Sequence, residues 1–182
     1  PCISCCAAVY EDGSALALVP DTKYGYRASA DSLAVSLINT SCYPDPFPDR
    51  GLHTVNLALV IGKNDGKALV EAAAELNHPA HFLSNSAHPG GLPMEQSFLS
   101  LEADSTVLTS VLPTQEPGVI HVRFHEEAGN EDTVTLRFHE KPREAELVDL
   151  NGKTMDGDVT ISGEIIRLTA KPYSIGELRI RF

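Results

Sequence analysis

Apolar residues along this chain recur mostly at every second position, the signature of half-buried β-strands. Residues 14–19 (SALALV) are apolar on both faces, which suits a strand covered on two sides. Residues 32–39 alternate Leu33, Val35 and Leu37 with smaller side chains, and residues 53–61 place Val55, Leu57, Leu59 and Ile61 on one face. The alternation returns at 119–125, with Ile120, Val122 and Phe124 inward, and at 133–139, with Val134, Leu136 and Phe138 inward. Further strands are predicted over 145–150, 164–169 and 177–182, the last setting Leu178, Ile180 and Phe182 opposite Arg179 and Arg181. Asp12-Gly13, Asn151-Gly152, Asp156-Gly157 and Ser162-Gly163 supply the positive-φ positions that tight hairpins need.

One segment breaks the period. Residues 64–76 carry Ala68, Leu69, Ala72, Ala73 and Leu76 at helical spacing, with Asn64 or Asp65 as the cap and Pro79 as the stop. Turn-forming residues are densest over 84–93 (SNSAHPGGLP), which suits an exposed linker and places a boundary there. The fold class expected is all-β: an antiparallel β-sandwich with one short helix, part of a larger supersandwich, over 1–93. A small antiparallel β-sandwich unit follows over 94–182.

Composition narrows the function classes. The chain has 182 residues, 42% hydrophobic and 21% charged, which is the profile of a globular protein. Fourteen basic against twenty-five acidic residues leave a net charge of -11. That sign argues against nucleic acid and anionic membranes as partners, since both select a positive surface. No apolar run approaches the roughly 20 residues of a membrane-spanning helix. The opening Pro1-Cys2-Ile3-Ser4, without an initiator Met, reads as a piece of a longer polypeptide. Cys2, Cys5, Cys6 and Cys42 are too clustered for two separate bridges, so buried free thiols in a reducing, cytoplasmic setting are expected.

No complete catalytic set emerges from the residues. His78, His81 and His88 lie close together, but Pro79 intervenes and no carboxylate stands at ligand spacing in a regular element, so no bound metal is expected. His121, His125 and His139 alternate with core positions and are expected to face water. Glu126-Glu127 and Glu131-Asp132 flank Gly129-Asn130 in a predicted hairpin tip and read as a solvated charge cluster. Two stretches stand apart. Residues 19–27 (VPDTKYGYR) gather Asp21, Lys23 and Tyr24 around Gly25 at a strand end, and residues 43–51 (YPDPFPDRG) form a proline-stiffened loop that presents Arg50. An Arg fork and a Tyr hydroxyl are apt partners for sugar hydroxyls; a polar loop with an internal Asp–Arg pair is the plainer alternative.

Those stretches, in this order, resemble the C-terminal part of bacterial α-mannosidases of glycoside hydrolase family 38. The resemblance rests on 16–26 (LALVPDTKYGY), 33–38 (LAVSLI), 43–46 (YPDP) and 49–53 (DRGLH), and continues through 97–100, 107–113 and 170–179. Thr22 stands where Ser or Cys is common in that family, and Pro20 replaces an Asn. The resemblance implies an exo-acting, retaining enzyme. Its zinc or other divalent metal and its carboxylate nucleophile would belong to an N-terminal catalytic domain, with no cofactor in this chain. It also implies that Asp21, Lys23 and Tyr24 lie near the sugar cleft, and that Arg50 reaches a sugar beyond the cleaved mannose. The expected partners are that catalytic domain and a mannose-containing oligosaccharide, with self-association of the isolated chain. The alternative is a stand-alone carbohydrate-binding module, although the chain has no Trp and only five Tyr with which to build a stacking platform.

Overall fold

The computed structural model describes residues 6–9, 12–63, 66–86, 89–91 and 93–182. Among the described residues the protein is all-β with one short helix, and all the strand pairs are antiparallel. It divides into two compact units, Pro1–Asn85 and Ser86–Phe182.

In the first unit, β1 (Cys6–Val9), β2 (Ser14–Pro20) and β5 (Leu57–Lys63) form one sheet with β2 in the centre. A separate hairpin joins β3 (Tyr26–Ser29) to β4 (Ser32–Val35). The β1–β2 turn is fixed by Gly13 at φ 77° and by Asp12, whose carboxylate accepts the Ser14 N–H at 2.8 Å. Helix α1 (Gly66–Asn77) covers one sheet face, where Leu69 packs with Ala15, Ala17 and Val60. Small residues in β2 let the helix approach closely. Its proposed caps, Asn64 and Asp65, lie outside the described residues. At its far end Asn77 turns its amide back to the Ala73 carbonyl at 2.9 Å, and Pro79 forbids another turn.

Strand β5 differs from its sequence reading in two respects. It starts at Leu57 rather than residue 53, because Asn56 is tied to Asp21 and His53 to the Asp49 carbonyl. The face expected to be buried is also the bare one: Leu57, Leu59 and Ile61 are 45%, 70% and 82% exposed. The register pairs Leu16 with Ile61 and Leu18 with Leu59, so these side chains share the face opposite the helix. Strand β4 is likewise shorter than expected, ending at Val35 instead of residue 39.

The second unit is a two-sheet sandwich. Strands β6 (Leu99–Glu102), β9 (Asp132–Phe138), β11 (Thr160–Ser162) and β12 (Ile165–Ala170) make one sheet, in the order β11-β12-β9-β6. Strands β7 (Thr106–Pro113), β8 (Val119–Glu126), β10 (Glu144–Val148) and β13 (Ile175–Arg181) make the other, in the order β10-β13-β8-β7. The core between them joins Val122, Phe124, Leu178 and Ile180 to Val134, Leu136, Phe138, Ile166, Leu168 and Ala170. Every inward residue read from the alternation of β8 and β9 takes its place there or packs against it.

Candidate functional site

The Glu126 and Asp132 carboxylates are not solvated, contrary to the sequence reading: they are only 3% and 6% exposed. Asp132 accepts the N–H groups of Ser105 at 2.9 Å and Thr106 at 2.8 Å. Glu126 accepts the N–H groups of Ala128, Gly129 and Tyr173, each at 2.8 Å, and the Ser105 hydroxyl at 2.6 Å. Burial would raise the Glu126 pKa, but these hydrogen bonds outweigh it and hold the group down at about 2. Both carboxylates are fully engaged in tying loops, which leaves them no catalytic proton to trade.

The histidines of this unit are engaged as well. His121 Nδ1 lies 2.5 Å from Glu177, which also accepts Arg123 Nε at 2.7 Å, and His125 Nδ1 lies 3.0 Å from the Thr109 hydroxyl. Burial of Glu177 works against its ionisation, and the bonds from His121 and Arg123 more than offset it, holding its carboxyl below the usual range. These are cross-strand locks between β8 and its neighbours. His139 is exposed and meets Phe98 edge-on. A slot of about 230 Å³ between the sheets is lined mainly by Phe98, Val111, Ile120, Phe138 and Phe182, with His139 and Glu140 as its polar groups.

The polar concavity lies in the first unit. A cleft of about 320 Å³ is walled by Lys23 and Gly25 on the loop after β2, by residues 36–39 after β4, and by Asp49 and His53 before β5. Three local devices build it. The Ser36 N–H donates to the Gly25 carbonyl at 2.7 Å, fastening the exit of the β3–β4 hairpin to the first loop. Asp21 then anchors the third loop. Its carboxylate accepts the Asn56 N–H at 3.1 Å and the Asn56 amide at 2.8 Å, and its own N–H donates to the Asn56 carbonyl. The Asn56 amide is the chief reason the Asp21 carboxyl sits below its ordinary value. Finally, His53 Nε2 lies 2.9 Å from the Asp49 carbonyl, closing the turn that carries Arg50.

Of the four residues singled out from the sequence, Lys23 lines the cleft and Asp21 secures its frame. Tyr24 is exposed beside it. Arg50 adjoins Asp49 in sequence but lies over the Phe47 ring, its guanidinium carbon 3.8 Å from the ring centroid. No internal Asp–Arg pair forms with Asp45, which instead accepts the Phe47 N–H at 2.9 Å. Asp49 and His53 were not legible as site residues from the sequence alone. The signal available was the i, i+4 spacing of Asp49 and His53 across Gly51, whose φ of 145° makes the turn. Cys42 is a free thiol and, against expectation, exposed; Cys2 and Cys5 lie outside the described residues. His88 does too, and among the described residues no three His, Cys, Asp or Glu side chains gather to hold a metal ion. No described helix is long and apolar enough to cross a membrane.

No family model matches the chain. It is 27% identical over 171 residues to human alpha-mannosidase 2C1, an alignment covering 91% of this chain and 16% of that protein. It is 26% identical over 170 residues to the mouse alpha-mannosidase 2C1, covering 90% of this chain and 16% of the relative. The chain therefore corresponds to a small part of the curated relatives it matches.

Proposed function

We propose that this chain is the non-catalytic C-terminal β-portion of an exo-acting, retaining α-mannosidase of glycoside hydrolase family 38, of the bacterial type and cytoplasmic. In this reading it packs against the metal-dependent catalytic domain and lines the sugar cleft. The observation that carries the reading is the alignment: it takes in nine-tenths of this chain and about one-sixth of each α-mannosidase. The bare apolar face of β5 adds support, because a sheet with two apolar faces belongs in the interior of a larger layered structure.

The division of labour follows from the chemistry of the residues. Retaining glycosidases use one carboxylate as nucleophile and another as acid/base. Here the best-held carboxylates, Glu126, Asp132 and Glu177, are fully occupied by structural hydrogen bonds. In this reading the divalent ion of the reaction belongs to the catalytic domain. What this chain offers is recognition. Lys23 donates, Asp49 accepts, and His53 presents its second ring nitrogen to the hydroxyls of a mannose-containing oligosaccharide. Arg50 and Tyr24 stand outside that cleft as contacts for a sugar beyond the cleaved residue.

Assays of the longer polypeptide and of this chain alone test the reading. The longer polypeptide hydrolyses an aryl α-mannoside only with its metal present, and the 182-residue chain does not hydrolyse it at all. Saturable, micromolar binding of mannose oligosaccharides by the isolated chain would favour a stand-alone binding module instead.

A further inference from the structure

Arg50 sits on the stiffest stretch of the first unit. Pro44, Pro46 and Pro48 fix φ on both sides of Phe47, and the Asp45 carboxylate pins the Phe47 N–H. Behind it, Gly51 and the His53–Asp49 hydrogen bond close the turn. Between these anchors the guanidinium carbon lies over the Phe47 ring, 3.8 Å from its centroid, and among the described residues no carboxylate forms an ion pair with it. A cation–π contact of this kind holds the guanidinium without engaging its N–H donors in an ion pair. Five donors held in a plane, with no carboxylate among the described residues paired to them, are a pre-set recognition fork.

We infer that Phe47 is a positioning residue that holds Arg50 as a fixed donor fork for paired hydroxyls of a neutral sugar beyond the cleaved mannose. The inference rests on the α-mannosidase reading above and adds to it the residue that sets the geometry. A neutral acceptor is favoured over an anion because Asp45 and Asp49 precede Arg50 on the same loop and the chain carries a net charge of -11. Without the ring, a long flexible side chain on an exposed loop samples many rotamers, and the ordering has to come out of the binding energy.

The test compares Phe47→Leu, Phe47→Tyr, Arg50→Ala and the Phe47→Leu/Arg50→Ala double variant in the longer mannosidase. The substrates are an α-mannobiose, which reaches Arg50, and an aryl α-mannoside, which does not. Phe47→Leu raises KM for the disaccharide about two- to five-fold, the scale of one exposed cation–π contact. It leaves kcat and the aryl-mannoside KM unchanged, and Phe47→Tyr, which keeps the ring, behaves as wild type. Arg50→Ala raises the disaccharide KM by about tenfold or more, and adding Phe47→Leu to it has no further effect. In the 182-residue chain, the upfield ring-current shift of the Arg50 δ-protons disappears in Phe47→Leu and survives in Phe47→Tyr, which separates loss of the stack from loss of the fold. A Phe47→Leu enzyme with wild-type disaccharide kinetics, beside an impaired Arg50→Ala enzyme, would overturn the inference and leave the reading standing. Unchanged kinetics in Arg50→Ala would also overturn it. A longer polypeptide without mannosidase activity would overturn the reading and the inference together.

Discussion

At the scale of single residues, buried charge in this protein does structural work through the backbone. Glu126 and Asp132 each collect several donors from loop N–H groups, and those groups would otherwise be left without partners inside the sandwich. The folded Glu126 pKa lies below its ordinary 4.5, at about 2. Its contribution to stability is therefore fully present above the ordinary carboxylate range and is lost as pH falls from about 4.5 towards about 2. Glu126→Gln lowers the melting temperature by several degrees at pH 7, since a neutral amide accepts those N–H groups less well. The gap from wild type narrows by pH 3; thermal melts at the two values check this. Gly176 makes a second point. A Cβ there would run into the buried Phe124 ring, so Gly176→Ala costs about 1–3 kcal/mol in denaturant unfolding. The sequence identified Phe124 as core but gave no sign of the glycine that faces its ring, because that contact spans two strands far apart in the chain.

At the scale of elements, alternation located β2, β8, β9, β10, β12 and β13 to within about two residues at each end. Those strands have one face on a dense core, and the pattern records that directly. Alternation did not pick out β1, β3, β6, β7 or β11; of these β3, β7 and β11 are mostly exposed and so leave little imprint of a buried face. In β5 the periodicity was legible but its meaning was not. Period 2 says which residues share a face, and tertiary packing decides which face is covered. The helix chose the side of Ala15 and Ala17, leaving Leu59 and Ile61 bare. Replacing Leu59 and Ile61 together by Ser therefore changes the stability of the isolated chain by less than about 0.5 kcal/mol each, as at an ordinary surface site. The same double substitution clearly reduces binding of a hydrophobic dye. A core-like loss of several kcal/mol per residue would mean that this face is already covered. The candidate cleft was half legible for a related reason: Lys23 belongs to a local motif, whereas its meeting with Asp49 and His53 depends on the long-range Asp21–Asn56 tie.

At the scale of the whole molecule, one physical contrast organises the account. The second unit closes its own core between two sheets, while among the described residues of the first unit the β5 end of one sheet face is left bare. Exposed Leu57, Leu59 and Ile61 on an edge strand give the isolated chain a surface prone to self-association. Sedimentation at rising concentration should show dimers or larger species, and the Leu59→Ser/Ile61→Ser chain should remain closer to a monomer. The most direct measurement is hydrolysis of an aryl α-mannoside by the purified 182-residue chain and by the longer polypeptide, each with and without added divalent metal. The account predicts metal-dependent turnover by the longer polypeptide alone, and metal-dependent turnover by the 182-residue chain itself would contradict it.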